Sequence, residues 1–203
     1  MCNQVVMRKQ VFVFLALVLA SYACSLLLAI FFNPAPLANI LGFLGLLSYI
    51  ITLIPSILKV VLPATKKNQF LIWLLKYRRH FGVAAFCLGL NHGIVLIIKR
   101  NLDLLDLQTY IEYFQGFSIL FIFTLLAVTS NDEAVKKLKN NWRRLHQLTY
   151  LVIFLLPWHI LDKMSGHWTY LTPIVVLSTT VTAILFTMRK YIEIIKYFSL
   201  QVK

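Results

Sequence analysis

Three histidines lie in apolar stretches of the sequence, where ionisable side chains are rare. His146 and His159 stand near the two ends of the segment 141–161, and His92 lies in a second apolar run, 81–98. An ionisable side chain inside a membrane segment is costly and usually serves a cofactor, a proton path or a buried hydrogen bond. Neutral imidazole offers a nitrogen lone pair to a metal, and haem iron is commonly bound by histidine. The histidines therefore indicate a haem site.

The spacing of these histidines permits one site with two histidine ligands. His92 lies 13 residues beyond Arg79, and His159 lies 13 residues beyond His146. At about 1.5 Å per residue, each is about 20 Å above the inner end of its helix. Both helices are predicted to cross the membrane in the same direction. We therefore expect His92 and His159 at similar depth, as axial ligands of one haem in the outer half of the bilayer.

The remaining histidines admit more than one interpretation. His146 is predicted near the inner boundary, where a second haem would need His80 as its partner. The 12 residues from His80 to His92 correspond to a rotation of about 120°, which puts the two on different faces of a straight helix. This rotation weakens a two-haem interpretation, and His146 is left open as a ligand or an interfacial hydrogen-bonding residue. We interpret His80 as interfacial and His167, beside Trp168, as part of an aromatic belt.

Six apolar blocks must position these side chains. Apolar residues make up 60% of the 203-residue chain, and the mean hydropathy is +0.78. Each block is about as long as a bilayer-spanning helix and contains no Lys, Arg, Asp or Glu. The blocks predict an all-α integral membrane bundle, a single domain over 1–203. Its six transmembrane helices are predicted at about 11–32, 37–58, 81–98, 113–130, 145–161 and 168–188.

The basic residues indicate how this bundle is oriented. The net charge is +13, and seventeen of the 20 Lys and Arg residues lie in the N-terminal segment, after the sixth block or in the connections on that same side. Only Lys99, Arg100 and Lys163 lie on the other side. The positive-inside rule therefore predicts that both termini are cytoplasmic. The charge indicates topology and attraction to anionic membrane lipid, and we expect no nucleic-acid binding because no soluble basic face interleaved with aromatics is present.

Short sequence features predict the structure of the segments between and after the spans. The apolar piece 70–75 is too short to span a bilayer, so it predicts a separate interfacial helix before the third span. Ser130 or Asn131 is expected to cap a short amphipathic helix over 132–140. A basic amphipathic tail is expected after the sixth span. The three cysteines have neither metal-ligand spacing nor a pairing pattern, and we interpret them as packing residues.

Several motifs together resemble a known family. They are Arg78-Arg79-x-x-Gly82 followed by His92, Thr129-Ser130, Lys137-x-Lys139, Trp142-x-x-Leu145-His146-x-x-x-Tyr150, and Pro157-x-His159. The pattern resembles the ferric-reductase-like transmembrane domain family, most clearly over 76–161. Within that family it is most similar to the membrane haem subunits of methionine sulfoxide reductase systems.

The resemblance implies a set of site residues. It implies a b-type haem bound by His92 and His159, with His146 as a further ligand or a functionally important histidine. More distant members carry two histidines on each of two helices, whereas Arg78 occupies the position of one inner ligand here, which leaves a second haem open. Basic residues at the inner boundary are candidates to bind haem propionates or the phosphate of an anionic flavin; these are Arg78, Arg79 and Arg144.

The resemblance also implies a function and its alternatives. The implied role is to pass electrons from a cytoplasmic flavin reductase or a membrane quinol to an acceptor outside the bacterial inner membrane, such as a periplasmic methionine sulfoxide reductase subunit. FMN or a quinone would be the further cofactor, and the sequence has no Gly-rich dinucleotide fingerprint. A stand-alone ferric or cupric reductase is one alternative. A non-redox scaffold or transporter is another, although no span contains an acidic residue and no internal repeat is present.

Overall fold

The computed structural model describes residues 34–165, 169 and 171–201, and this part of the chain is helical, with no strand. The all-α prediction is therefore confirmed. Eight α-helices are described: α1 Pro34–Val61, α2 Gln69–Arg100, α3 Leu107–Glu112, α4 Phe114–Val128, α5 Asp132–Leu138, α6 Asn140–His146, α7 Thr149–Met164 and α8 Leu171–Gln201. A 3₁₀-helix, Pro63–Lys67, joins α1 to α2. The first predicted span, His167 and Trp168 lie outside the described residues.

Helices α1 and α2 form the most extensive pair in this part of the bundle. A Cβ atom added at Gly45 on α1 would lie 3.5 Å from the backbone nitrogen of Gly89 on α2. Small residues allow such close backbone approach between membrane helices. Helix α8 packs on α1 and α7, and α4 packs on α2 and α7. The core therefore lies between these five helices, with Leu53, Ile57 and Val152 fully buried in it.

Helix α2 corrects the prediction of a separate interfacial helix over 70–75. That segment forms the first turns of one continuous helix of 32 residues. The side chain of Asn68 caps this helix, because it accepts hydrogen bonds from the backbone N–H groups of Phe70 and Leu71 at 2.9 and 3.2 Å. Neither proline nor glycine occurs between 69 and 81 to interrupt it. At about 48 Å, the helix is longer than the bilayer hydrocarbon core of about 30 Å.

The connection from α4 to α7 contains two short helices. Helix α5 bends by 94° from α4, and the side chain of Asn131 accepts a hydrogen bond from the N–H of Ala134 at 2.8 Å. This bond confirms the predicted cap. The predicted span 145–161 is divided, because His146 ends α6 and α7 begins at Thr149. Backbone bonds between residues three apart tighten the chain over 147–148, which changes the helical phase between His146 and His159.

Three described helices are long and apolar enough to cross a membrane: Leu37–Val61, Gln69–Arg100 and Leu171–Ser199. The bent pair of α4 and α5 provides a fourth if it counts as one span. The chain is therefore a membrane protein. Six spans and cytoplasmic termini stay predictions. The expected amphipathic tail is part of α8, which continues without a break to Gln201.

Candidate functional site

One cavity lies between the five core helices, and two of the predicted site residues line it. Its volume is about 270 Å³, and its wall includes His92 from α2 and His159 from α7. This volume is close to the lower end of the range usual for small-molecule sites, about 300–1,000 Å³. The structure therefore brings together the two histidines that the sequence placed at equal depth.

A backbone hydrogen bond fixes the tautomer of His92. Its Nδ1 lies 2.8 Å from the carbonyl oxygen of Ala38 on α1. A carbonyl oxygen only accepts hydrogen bonds, so the proton is on Nδ1 and the lone pair is on Nε2. Histidines that bind metals are commonly oriented in this way, by a hydrogen bond from the second ring nitrogen. The ring of His92 is therefore held in the tautomer whose Nε2 can bind a metal.

The ring of His159 has a polar atom that the described residues do not satisfy. Its Nδ1 is buried and has no hydrogen-bond partner among them. Leaving such a group unpaired costs about 1–3 kcal/mol, and its presence calls for an explanation. A ligand in the cavity that contacted Nδ1 itself would provide one.

Each of these two rings packs against a glycine of a neighbouring helix. A Cβ atom at Gly42 on α1 would lie 3.1 Å from Cε1 of His92, and one at Gly116 on α4 would lie 3.2 Å from Cε1 of His159. Both distances are shorter than ordinary van der Waals contact. The two glycines therefore allow the imidazole rings to occupy their present positions.

Glycine is also concentrated in the wall of the cavity. Five of the seven glycines in the sequence line it: Gly42, Gly45, Gly89, Gly93 and Gly116. A Cβ atom at Gly93 would meet nothing within 4 Å. The wall beside Gly93 is therefore open, whereas Gly42 and Gly116 are each closed by an imidazole ring. Two imidazoles that line one cavity are a ligand set that fits a haem.

Polar residues gather at the end of the cavity where α2 and α7 end and α4 begins, here called the Arg100 end. The guanidinium of Arg100 donates to the hydroxyl of Tyr113 at 2.7 Å. The ammonium of Lys163 lies 4.6 Å from the centre of the same ring and donates to the carbonyl of Glu112 at 2.7 Å. All but Glu112 line the cavity. One end of an otherwise apolar cavity is therefore cationic.

An acidic residue lies beside this cluster, just beyond the end of the predicted span. The carboxylate of Asp162 is 2.9 Å from Nζ of Lys163 and accepts a longer bond, of 3.4 Å, from the side chain of Gln115. The hydrogen bond from Lys163 holds the pKa of the Asp162 carboxyl below its usual range. The carboxylate is therefore ionised at neutral pH and neutralises part of the charge on Lys163.

His146 lies outside this cavity. Its Nε2 is 3.2 Å from the hydroxyl oxygen of Thr129, which itself donates to the carbonyl of Leu125 at 2.6 Å. Because the hydroxyl donates its only proton to Leu125, it must accept the hydrogen bond from His146, so Nε2 of His146 carries a proton. The imidazole also stacks on Trp142, with ring centres 4.1 Å apart. The exposed side chain of His80 lies beside Tyr77. His146 is thus engaged in hydrogen bonding and stacking.

The structure does not bring the predicted arginines to the two histidines. Neither Arg78, Arg79 nor Arg144 lines the cavity, and Arg79 pairs with Asp132 at 2.8 Å on the exposed surface. Arg79 precedes His92 by 13 residues, about 20 Å along the axis of α2. A role for these arginines toward a group held by His92 and His159 is therefore not supported. A flavin phosphate at the opposite end of the bundle stays a prediction for them.

The cationic end of the cavity was missed by reasoning from the sequence. Arg100 and Lys163 were used only to count charges on the outer side. Helical spacing carried a signal, because Lys163 follows His159 by four residues and therefore lies on the same face of α7. Arg100 follows His92 by eight residues, so its side chain is rotated by about 80° from that of His92 around the helix axis. The spacing signal was therefore weaker for Arg100 than for Lys163.

A family model and several curated proteins are similar to this chain. The family model described as "Ferric reductase like transmembrane component" matches residues 19–157, which include His92 and end two residues before His159. A protein from Agrobacterium fabrum named "Protein-methionine-sulfoxide reductase heme-binding subunit MsrQ" is 36% identical over 95 residues, 43% of each chain. A protein of the same name from Brucella ovis is 34% identical over 87 residues, 40% of each chain.

These alignments are partial. The matched region spans about two fifths of the length of these curated relatives. No solved structure matches this chain. In the described part of the chain, no cluster of three or more His, Cys, Asp or Glu side chains could hold a bare metal ion. A haem needs only two axial ligands from the protein because the macrocycle supplies the other iron ligands.

Proposed function

The chain belongs to the ferric reductase like transmembrane component family, and from this premise we propose that it is a haem-binding membrane electron-transfer protein. His92 and His159 are the proposed axial ligands. The single observation that carries the proposal is that both imidazoles line one glycine-rich cavity between the core helices. The names of the two bacterial relatives, as heme-binding subunits, support the same assignment.

The chemistry divides between the cofactor and the protein. Haem supplies a one-electron couple when it is bound, and axial ligands and burial set its potential. The Ala38 carbonyl orients His92 through Nδ1–H, so Nε2 would be the atom that binds the iron. Gly42 and Gly116 allow the two rings to sit against neighbouring helices. The apolar wall excludes water, which favours a low local dielectric around the site.

The haem is proposed to be of the b type. Covalent attachment of a c-type haem uses the sequence Cys-x-x-Cys-His, and none of the three cysteines belongs to such a motif. The haem would then be held only by its axial ligands and by contacts in the cavity. We propose one haem per chain, with His146 as an interfacial hydrogen-bonding residue, because that ring is occupied by Thr129 and Trp142.

The proposed direction of electron flow is from the cytoplasmic side to the outer side. The donor is a cytoplasmic flavin reductase, with FMN, or a membrane quinol. The names of the relatives, as subunits of a methionine sulfoxide reductase, support a catalytic subunit of such a reductase as the acceptor. We place this acceptor on the outer face of a bacterial inner membrane. A quinol can diffuse within the membrane to the apolar bundle, which suits a chain with one haem in a core about 30 Å thick.

Haem content of purified variants tests this proposal. The measurement is the dithionite-reduced minus oxidised spectrum, with the haem-to-protein ratio, for wild type, His92→Ala and His159→Ala. We expect one b-type haem per chain in the wild type and loss of the signal in both variants. His80→Ala, an exposed histidine on the same helix as His92, is the matched control and should keep its haem. Folded protein from haem-replete cells without haem, or full haem content in both variants, would overturn the proposal.

A further inference from the structure

Arg100 and Lys163 converge on one tyrosine ring at the Arg100 end of the cavity. We propose that these two cations bind the two propionate carboxylates of the haem, so that the edge of the macrocycle carrying them faces this end of the bundle. The inference rests on the proposed function, since it assigns a role to residues around the same cofactor. It replaces the prediction that Arg78, Arg79 and Arg144 bind the propionates.

The two cations occupy corresponding positions along their helices. Arg100 follows His92 by eight residues, about 12 Å along α2, and Lys163 follows His159 by four residues, about 6 Å along α7. Both cations therefore lie beyond the axial ligands in the same direction. Both also line the cavity that contains the two imidazoles. A ring held between the imidazoles would direct one edge toward both cations.

Both cations contact Tyr113. The Arg100 guanidinium is 5.7 Å from the centre of the Tyr113 ring and also donates to its hydroxyl. The Lys163 ammonium is 4.6 Å from the same centre. Cation–π contacts of this kind contribute most where the charge is partly desolvated. The Lys163 side chain is 19% exposed, whereas Arg100 is an exposed residue. The contacts therefore hold Lys163 in place more firmly than Arg100.

Arg100 and Lys163 have more N–H donors than their described contacts use. A guanidinium has five N–H donors and an ammonium has three. The described contacts use one donor of Arg100, to Tyr113, and two of Lys163, to Glu112 and Asp162. Donors on both groups remain for carboxylates, and charge-assisted bonds of this type are the stronger ones.

The positive charge of Arg100 and Lys163 is only partly balanced by the described ion pairs. Two cations share one ring, while the described ion pairs at this end supply one carboxylate, that of Asp162. Like charges held close together are unfavourable unless an anion lies between them. A haem with two ionised propionates would supply that anion.

A comparison of haem with its dimethyl ester tests the inference directly. Full-length protein is purified from haem-depleted cells and titrated with each compound, and binding is followed by absorbance. The esters remove both negative charges and leave the macrocycle unchanged. We expect wild type to bind the free acid at least about tenfold more tightly than the ester. In Arg100→Gln/Lys163→Gln the preference should fall to near unity, because the cations that recognise the carboxylates are gone.

The matched control is Lys99→Gln. Lys99 is an exposed cation beside Arg100 that does not line the cavity, so the wild-type preference should remain. Comparing the ratios between proteins cancels any difference in partition of the two compounds into detergent. A preference that survives in the double variant, or that is lost instead in Arg78→Gln/Arg79→Gln, would overturn the inference.

Two further readouts keep the test decisive if the double variant does not fold. Wild type that binds the acid and the ester equally well would overturn the inference without any variant. Lys163→Gln alone should lower the reduction potential of the bound haem, because removing a nearby positive charge stabilises the ferric form; an unchanged or higher potential would contradict the assignment. Wild type that binds neither compound would overturn the proposed function itself.

Discussion

The proton on Nδ1 of His92 decides which nitrogen of that ring can bind a metal. The Ala38 carbonyl fixes that proton, and Gly42 and Gly116 provide the space that the two imidazoles occupy. The sequence predicted His92 and His159 as haem ligands from their residue type and similar depth, because a histidine in an apolar membrane helix is unusual. The sequence could not predict the glycine contacts, since these depend on which faces of α1 and α4 meet the rings.

Replacement of one glycine should remove haem without removing the histidine. In Gly116→Ala the new methyl group would lie 3.2 Å from Cε1 of His159, so the ring must turn and we expect the haem-to-protein ratio to fall at least about twofold. Gly82→Ala is the matched control, because a Cβ atom there meets nothing within 4 Å. Equal haem content in the two purified variants would contradict the role given to Gly116.

His146 should be dispensable for the haem held by His92 and His159. In His146→Gln the side chain can still donate to the hydroxyl of Thr129, so we expect the haem-to-protein ratio and the reduced spectrum of wild type. Thr129→Val tests the same contact from the other side and should also keep the haem. A ratio that fell by half in His146→Gln would instead establish a second haem at the inner end of the bundle.

At the scale of the helices, hydropathy predicted where apolar segments lie better than where helices begin and end. The second, fourth and sixth predicted spans correspond to α1, α4 and α8. The segment 70–75 was separated from the third span because it is too short to cross a bilayer by itself, yet the charged residues that follow it do not interrupt a backbone helix. The span over 145–161 was predicted as one helix because the tightened turn at 147–148 leaves no mark in the hydropathy pattern.

A buried tyrosine links α1 to the start of α7. The hydroxyl of Tyr49 donates to the carbonyl oxygen of Thr149 at 2.5 Å, and its ring lies 5.4 Å from that of Phe123 on α4. Tyr49→Phe removes the hydrogen bond and keeps the ring, so we expect the free energy of unfolding to fall by about 1 kcal/mol. Tyr191→Phe, at an exposed position on α8, should leave it unchanged.

The measurement for this link is denaturant unfolding of the detergent-solubilised protein, followed by circular dichroism. Equal midpoints for Tyr49→Phe and Tyr191→Phe would show that the bond contributes no net stability. Because Tyr49 also lines the cavity, the comparison is best made on haem-free protein.

At the scale of the whole molecule, the charge distribution predicts the orientation of the bundle. The Arg100 end belongs to the side with few basic residues, and the arginines at 78, 79, 143 and 144 belong to the side with many. This asymmetry places the cavity nearer the outer face if both termini are cytoplasmic. Electron transfer to an outer acceptor depends on that orientation, and the fold alone does not determine it.

Labelling of single cysteines tests the orientation. In a background without Cys2, Cys24 and Cys87, we expect Gln108→Cys to react with a membrane-impermeant maleimide in spheroplasts. Lys136→Cys should react only after the membrane is permeabilised. The reverse pattern would place the cavity near the cytoplasmic face and contradict the proposed direction of electron flow.

Electron paramagnetic resonance of the oxidised wild-type protein at low temperature would show whether His92 and His159 both bind one haem. Two imidazole ligands make ferric haem low-spin, so we expect one low-spin signal of the bis-histidine type that accounts for one haem per chain. A high-spin ferric signal at the same stoichiometry would mean that at least one axial position lacks its histidine, and it would rule out bis-histidine binding.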